Sequence, residues 1–217
     1  MKISIVCSDK THPVYPYLDD WRSNFATEAE IFIATKLDEV PESEILFLVS
    51  CSEIVRDRHR AKFQHIMVLH ASDLPEGKGW SPYVWDIVAG RDHLTLSLID
   101  AGDPIDSGAI WAKKRFYVGK NLLWDEINDL LFTAELSLME DAIQLVKDGA
   151  SPTRQETGGE TWHRKRTLKD SEIDPARTIA EQFDLMRICD PNRYPAHLEL
   201  RNRRYKIIIE RMPDEPS

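Results

Sequence analysis

Short apolar runs alternate with amphipathic stretches along the first hundred residues of the chain. Four runs rich in aliphatic and β-branched residues are typical of buried strands. They are residues 2–7, 30–35, 45–49 and 66–69. Between the first two runs, apolar side chains recur at spacings of three and four from Val14 to Phe25, which predicts a helix. The charged stretch 54–63 predicts a second, shorter helix before the fourth strand.

The pattern continues into a second half that is richer in helix. Residues 94–99 alternate more strongly than the earlier runs, so we expect this strand near an edge of the sheet, followed by an extended segment at 110–118. The clearest helix is 122–147, with a broad apolar stripe and Gly149 just past its end. This alternation favours an α/β fold, with a Rossmann-like, mostly parallel sheet and flanking helices.

The composition changes at residues 150–160, where small and polar residues replace the apolar pattern. We therefore divide the chain into a Rossmann-like domain, 1–150, and a small C-terminal subdomain, 151–217. The subdomain is predicted to hold a helix capped by Asp174 and a β-hairpin within 195–209. Because an exposed hairpin edge needs covering, pairing with a second copy as a homodimer is one expectation.

Composition narrows the class of protein. A chain of 217 residues with 42% hydrophobic residues is ordinary for a soluble domain, and no run approaches the ~20 apolar residues of a membrane span. A net charge of −9 argues against broad nucleic-acid binding. Three widely spaced cysteines without a CxxC pair suggest neither a disulfide framework nor a zinc site, which fits a reducing cytoplasm. The glycine-rich phosphate loops of dinucleotide and P-loop folds are missing after the first strand.

Two stretches carry candidate chemistry where strands end. His70 follows the fourth strand, and the next helix is predicted to start with Ser81 as N-cap and Pro82 as its first residue. Asp106 lies in the loop after the strand at 94–99. Because ligands bind at the carboxyl ends of strands in open α/β sheets, we expect His70 and Asp106 to meet there as a proton-transfer pair suited to acyl transfer. Taken singly, His70 could equally be a packing residue, and a lone loop aspartate such as Asp106 is more often solvated or capping a turn.

Other side chains near these stretches are weaker candidates. Trp80 follows a glycine in the loop after His70 and is a candidate ligand-facing ring, whereas Trp85 is predicted to pack on a helix face. Cys51 follows the third strand and is predicted to pack rather than react, since no base is indicated beside it. The basic run 163–166 is either a solvated surface or a contact for substrate phosphates.

The stretches LHASDLPEGKGWSPYVW and DAGDPIDSGAIW together resemble the formyltransferases that use N10-formyltetrahydrofolate. The family pattern is Asn-x-His-x-Ser-x-Leu-Pro, then Asp-[Thr/Ser]-Gly. It is matched over roughly residues 45–115 by His70, Ser72, Leu74 and Pro75, then Asp106, Ser107 and Gly108. The GKGWSP variant and the tail QFDLMRICDPNRYPAHLEL look more like the sugar N-formyltransferase branch. A tRNA formyltransferase would be expected to carry a larger, more basic C-terminal domain.

The resemblance implies transfer of a formyl group, without a metal, to the amine of a nucleotide-linked amino sugar such as a 4-amino-4,6-dideoxy hexose. His70 would stabilise the oxyanion, while Asp106 would orient His70 and help to take the amine proton. The folate would contact Ser72, Asp73, Leu74, Pro75, Cys51 and Ile105, and the substrate would contact Trp80, Arg164 and Tyr194. The resemblance also suggests a cytoplasmic role in bacterial lipopolysaccharide O-antigen synthesis, with no membrane or nucleic-acid partner.

One position departs from the family pattern. Val68 stands where the family has the asparagine that helps to hold the formyl oxygen. Losing such a donor costs about 10²–10³ in rate unless Ser72 or a loop amide replaces it. A catalytically impaired, ligand-binding homologue is therefore one alternative, and formylation of glycinamide ribonucleotide or methionyl-tRNA is another.

Overall fold

The computed structural model describes residues 1–213 of the chain. The strands of this part are β1 (Lys2–Val6), β2 (Glu30–Ala34), β3 (Ser43–Leu48), β4 (Phe63–His70), β5 (Lys78–Gly79), β6 (His93–Asp100), β7 (Ile110–Tyr117), β8 (Trp162–His163), β9 (Ala196–Leu200) and β10 (Arg203–Ile207). The α-helices are α1 (Tyr15–Asn24), α2 (Asp57–Arg60), α3 (Pro82–Val88), α4 (Trp124–Lys147) and α5 (Ile179–Arg187). No helix in residues 1–213 is both long enough and apolar enough to cross a membrane.

A six-stranded sheet in the order β2-β1-β3-β4-β6-β7 forms the centre of the molecule. Strands β2, β1, β3 and β4 run parallel, whereas β6 is antiparallel to β4 and β7 is antiparallel to β6. The sheet is therefore mixed and mostly parallel, with helices against it, and the predicted Rossmann-like α/β fold is confirmed. The alternating strand β6 lies beside the edge strand β7, as its pattern predicts.

Both faces of the sheet are covered, which explains why the central strands are continuously apolar. Alternate residues of β1, β3 and β4 point into a core cluster with α1 and α4, which includes Ile5, Phe47 and Leu69. The intervening residues, such as Leu46 and Ile66, pack in a second cluster on the opposite face. The carboxyl ends of these three parallel strands therefore open onto one edge, flanked by two packed layers.

The C-terminal residues return to the edge of the sheet. Strand β8 pairs in parallel with the short strand β5, which lies in the loop after β4. Helix α5 packs on α3, and buried Arg187 donates to the carbonyls of Gly119 and Leu122 ahead of α4. Strands β9 and β10 form the predicted hairpin, with Arg201 and Asn202 in left-handed conformations at its turn.

The predicted Ser81 cap of α3 is wrong. Pro82 is the first residue of the helix as expected, but Ser81 has a φ of +48° and its side chain makes no capping hydrogen bond. A capping side chain reaches the first-turn amides from an extended backbone, and the left-handed conformation removes that geometry.

The predicted start of the C-terminal helix is also wrong. Helix α5 begins at Ile179 instead of following Asp174, because Thr178 and Glu181 form a reciprocal capping box. Thr178 Oγ1 accepts from the Glu181 amide at 3.3 Å, and Glu181 Oε2 accepts from the Thr178 amide at 3.0 Å. Asp174 instead accepts from the amide of Ala176 at 2.9 Å and closes a turn.

Candidate active site

The structure places His70 and Asp106 beside each other at the edge of the sheet. His70 Nδ1 lies 3.6 Å from Asp106 Oδ1, and both side chains are 8% exposed. His70 Nε2 lies 2.9 Å from the carbonyl oxygen of Gly77, which can only accept, so Nε2 carries the proton of that bond. A further proton on Nδ1 would lie between the imidazole and the carboxylate, which is the arrangement a proton-transfer pair needs.

The pair forms by a different route from the one the sequence predicts. Because β6 is antiparallel to β4, its last residue, Asp100, is opposite Met67, and Ser97 is opposite His70. An acid at the end of β6 would thus lie level with Met67, three residues before His70 along β4. The loop after Asp100 folds back along the edge, and this return brings Asp106 to His70.

Close backbone approaches hold this returning loop in place. Asp106 has a left-handed φ of +57°, and its Oδ2 accepts from the Gly79 amide at 2.9 Å. A Cβ atom on Gly108 would lie 1.8 Å from the carbonyl oxygen of Asp100, so only glycine fits there. Gly79 has a φ of +96°, and a Cβ atom there would lie 2.3 Å from the His163 carbonyl oxygen.

Gln155 contacts the same loop and is missing from the sequence-based candidates. Its amide Nε2 donates to the carbonyl of Asp106 at 2.9 Å and to that of Gly108 at 2.8 Å. The residue lies in the polar stretch 150–160, which carries no periodic or motif signal. Only the folded structure reveals that this stretch spans the site.

A second set of contacts from the C-terminal residues stabilises the loop after His70. The Thr161 carbonyl accepts a hydrogen bond from the Lys78 amide at 2.9 Å, and Thr161 Oγ1 accepts one from the Gly77 amide at 2.8 Å. The buried Lys78 ammonium pairs with Glu160 at 2.7 Å. Gly77 is the residue whose carbonyl contacts His70, so residues 155–163 hold both halves of the pair.

The loops proposed to contact folate meet on one face of the sheet edge. Four partly buried residues pack against the second core cluster, the one that contains Leu46 and Ile66. They are Cys51, Val55, Val68 and Ala101. Val68 therefore presents an apolar side chain where the family pattern has an amide. Burial raises the pKa of the Cys51 thiol, as expected for a packing residue. Ile105, on the Asp106 loop, is 57% exposed and offers its apolar side chain to solvent.

The motif residues after His70 point in different directions. Ser72 and Leu74 are buried, and the Ser72 hydroxyl has no hydrogen-bond partner among residues 1–213. Asp73 is exposed and pairs with Lys113, whose ammonium also contacts the Leu74 carbonyl at 2.6 Å. The peptide bond between Leu74 and Pro75 is cis, and Pro75 is half-buried.

The three candidate substrate contacts fall into two groups. Trp80 is 47% exposed, with the Lys165 ammonium 4.7 Å from its ring centre. Arg164 is ion-paired with Asp170 and lies 5.2 Å from the ring centre of half-buried Trp85. The run 163–166 is therefore an aromatic–cationic surface beside the His70 loop.

Tyr194 belongs to a separate group near the end of β1. It is 60% exposed, and the Arg193 guanidinium lies 5.6 Å from its ring centre. Arg193 also pairs with Asp9, in the loop after β1, at 2.7 Å. Residues 1–213 contain no cluster of three or more His, Cys, Asp or Glu side chains able to hold a metal ion.

Comparison with known proteins finds no matching family model but several related sequences. The chain is 31% identical over 154 residues to methionyl-tRNA formyltransferase of Clostridium beijerinckii, covering 69% of this chain and 48% of that protein. It is 30% identical over 122 residues to methionyl-tRNA formyltransferase of Sorangium cellulosum, covering 56% of this chain and 39% of that protein. The chain thus spans less than half the length of these two relatives.

Solved structures share the fold over nearly the whole chain. Methionyl-tRNA formyltransferase from Clostridium thermocellum has a TM-score of 0.82 at 22% identity, covering 100% of this chain and 95% of that one. A 4-N formyltransferase from Francisella tularensis has a TM-score of 0.73 at 13% identity, covering 98% of both chains. HypX from Aquifex aeolicus, in complex with tetrahydrofolic acid, has a TM-score of 0.75 at 15% identity, covering 94% of this chain and 36% of that one. Sequence and fold together relate this chain to the formyltransferase family.

Proposed function

We propose that this protein transfers a formyl group from N10-formyltetrahydrofolate to a primary amine. The observation that carries the proposal is the buried pair of His70 and Asp106, 3.6 Å apart on the edge of a formyltransferase-like sheet. Four partly buried residues form an apolar group that suits the flat pterin of the donor: Cys51, Val55, Val68 and Ala101. Exposed Ile105, on the Asp106 loop, is a further apolar contact in this proposal.

In the proposed reaction, the amine nitrogen forms a bond to the formyl carbon and the bond from that carbon to folate N10 breaks. The amine loses one proton and N10 gains one, so no oxidant or further reactant is needed. Because its two ring nitrogens face the Gly77 carbonyl and Asp106, His70 would stabilise the negative charge on the formyl oxygen through the positive charge of its protonated ring. The proton of the amine would pass through the pair of His70 and Asp106. Asp106 would hold His70 in orientation and stabilise its protonated form.

Val68 stands where the family pattern has an asparagine, so the formyl oxygen lacks that hydrogen-bond donor. Another group must therefore stabilise the oxygen. The Ser72 hydroxyl is unpartnered among the described residues, but it is 2% exposed and lies against Gly77. His70 would therefore carry more of this stabilisation than a histidine that is assisted by an asparagine amide. A binding protein without turnover is the alternative that this position supports.

The acceptor that we favour is a nucleotide-linked amino sugar. Exposed Trp80, with Lys165 over its ring, offers a stacking surface and a positive charge beside the His70 loop. The net charge of −9 does not favour a large RNA substrate. Methionyl-tRNA is the second candidate acceptor, because two relatives in sequence are methionyl-tRNA formyltransferases.

An acceptor panel distinguishes these substrates. We would incubate the purified protein with N10-formyltetrahydrofolate and GDP-, UDP- or dTDP-linked amino sugars, methionyl-tRNA or glycinamide ribonucleotide, and detect formylation by mass spectrometry. A single formyl group gained by an amino sugar supports the favoured acceptor, and formylation of methionyl-tRNA alone supports the second candidate. Folate binding by calorimetry without any product would support the non-catalytic alternative.

A further inference from the structure

The loop after His70 is fixed to the two strands that follow β4 in the sheet. On β6, the fully buried Ser97 hydroxyl donates to the carbonyl of Ser72 at 2.7 Å. On β7, the Lys113 ammonium donates to the carbonyl of Leu74 at 2.6 Å. Side chains of two neighbouring strands therefore hold two carbonyls of the same loop.

These two anchors lie in one row with His70. Ser97 is opposite His70 across β4 and β6, and Lys113 is opposite Ser97 across β6 and β7. Directly opposite residues of antiparallel strands point to the same face of the sheet. The residues that precede two of them, Leu69 and Ala112, pack in the first core cluster, on the face that α4 covers. Lys113 therefore extends from the opposite face, which is the face of the apolar group proposed for the pterin.

Lys113 contacts the loop at two points of unequal weight. Its ammonium also pairs with Asp73 Oδ1 at 2.5 Å, but the side chain of Asp73 is 60% exposed and that of Lys113 is 34% exposed. An ion pair so open to water stabilises little by itself. The bond to the Leu74 carbonyl is different, because a charged donor there holds the main chain. The Leu74 contact is therefore the one that fixes the path of the loop.

The far end of the loop is held by a different part of the chain. Gly77, whose carbonyl contacts His70 Nε2, donates its amide to Thr161 Oγ1 at 2.8 Å. Loss of the Lys113 ammonium would therefore free residues 73–75 and leave the His70 ring in its place.

We propose that Lys113 is a positioning residue for the formyl donor, because it holds Asp73 and Leu74, two of the predicted folate contacts, in a fixed arrangement. This inference rests on the proposed function, since it assigns a residue to the donor side of that reaction. A loop that is ordered before the donor arrives loses less conformational entropy on binding, so the affinity is higher. Lys113 acts on donor affinity and leaves the transfer step to His70 and Asp106.

The test compares Lys113→Met, Lys113→Arg and Arg115→Met. Lys113→Met keeps the length of the side chain and removes the ammonium group, whereas Lys113→Arg keeps a charged donor. Arg115→Met is the matched control, because Arg115 is exposed, carries the same charge and lies two residues further along the same face of β7. We would measure the dissociation constant for tetrahydrofolate by calorimetry, and then kcat and KM for N10-formyltetrahydrofolate with the acceptor found in the panel.

We expect Lys113→Met to bind tetrahydrofolate about tenfold more weakly and to raise the KM for the donor by a similar factor. Its kcat at saturating donor should stay at the wild-type value, because the pair of His70 and Asp106 is untouched. Lys113→Arg should restore most of the affinity, and Arg115→Met should match the wild-type protein. Thermal unfolding of each variant sets a temperature at which all of them are folded, so a loss of affinity reports the loop and not the fold.

Four outcomes would overturn the proposal. Wild-type affinity in Lys113→Met would make Lys113 a surface residue and leave the proposed function standing, because transfer by the wild-type protein is measured separately. Equal weakening in Lys113→Met and Arg115→Met would mean that the two charges only attract an anionic ligand. A fall in kcat with unchanged donor affinity would assign Lys113 to the transfer step instead. If the wild-type protein binds no tetrahydrofolate, the proposed function fails and the inference fails with it.

Discussion

Replacing Gln155 tests whether the stretch after α4 holds the Asp106 loop. Gln155→Ala removes two hydrogen bonds, of 2.9 and 2.8 Å, to the carbonyls of Asp106 and Gly108. At about 1 kcal/mol for each bond, the loss is about 2 kcal/mol. The mutation also removes Oε1, which is buried without a partner in residues 1–213, and this recovers part of the loss. We expect a net loss of about 1–2 kcal/mol, or about 2–8 °C in melting temperature for a chain of this size.

Gln155→Ala should lower kcat in the folded protein as well as lowering the melting temperature. A loop freed from Gln155 would let the Asp106 carboxylate leave its place 3.6 Å from His70. We therefore expect kcat to fall at a temperature where the variant is fully folded. Glu156→Gln, at the exposed neighbouring position, is the matched control and should leave kcat and the melting temperature unchanged.

Thermal unfolding and steady-state kinetics of the two variants provide the measurement. The reasoning would be refuted if Gln155→Ala unfolds several degrees lower but keeps wild-type kcat when folded. In that case Gln155 would stabilise the chain without positioning the acid.

Three further changes test separate parts of the account. Gly108→Ala should destabilise the protein by about 1–3 kcal/mol in denaturant unfolding, because the new Cβ atom would overlap the Asp100 carbonyl; an unchanged midpoint would contradict the close approach. Trp80→Ala should weaken binding of a sugar nucleotide in calorimetry without changing folate affinity, and unchanged affinity for the sugar nucleotide would remove Trp80 from the acceptor site. The Arg164 guanidinium holds the pKa of the Asp170 carboxyl well below its usual range, so the stabilising effect of Asp170 is present above the unfolded pKa of about 4 and lost at lower pH. Asp170→Asn should therefore lower the melting temperature at pH 7 by more than at pH 3, and an equal loss at both values would contradict this ion pair.

The sequence pattern predicts those features that depend on local periodicity or on turn chemistry. Continuous apolar runs identify the buried parallel strands, and the stripe of α4 identifies the longest helix, because burial imposes those periods directly. The β-hairpin within 195–209 is recognisable because two short runs typical of strands are joined by polar residues. The start of α5 was misplaced because two capping signals compete there, and the Thr178–Glu181 box prevails over Asp174.

The remaining features of the site depend on contacts between distant parts of the chain. Gly77 contacts Thr161 across 84 positions of sequence, and no periodicity in either segment signals that contact. The meeting of His70 and Asp106 was predicted, but the antiparallel direction of β6 and the loop that compensates for it were not.

The central claim is that His70 and Asp106 transfer a formyl group to an amine. The most direct measurement is the rate at which an acceptor gains one formyl group from N10-formyltetrahydrofolate, followed by mass spectrometry for the wild-type protein, His70→Ala and Asp106→Asn. The account predicts transfer by the wild-type protein and a loss of about 10²-fold or more in each variant, with folate binding retained. Equal rates in all three proteins, or folate binding by the wild-type protein with no transfer to any amine, would contradict it.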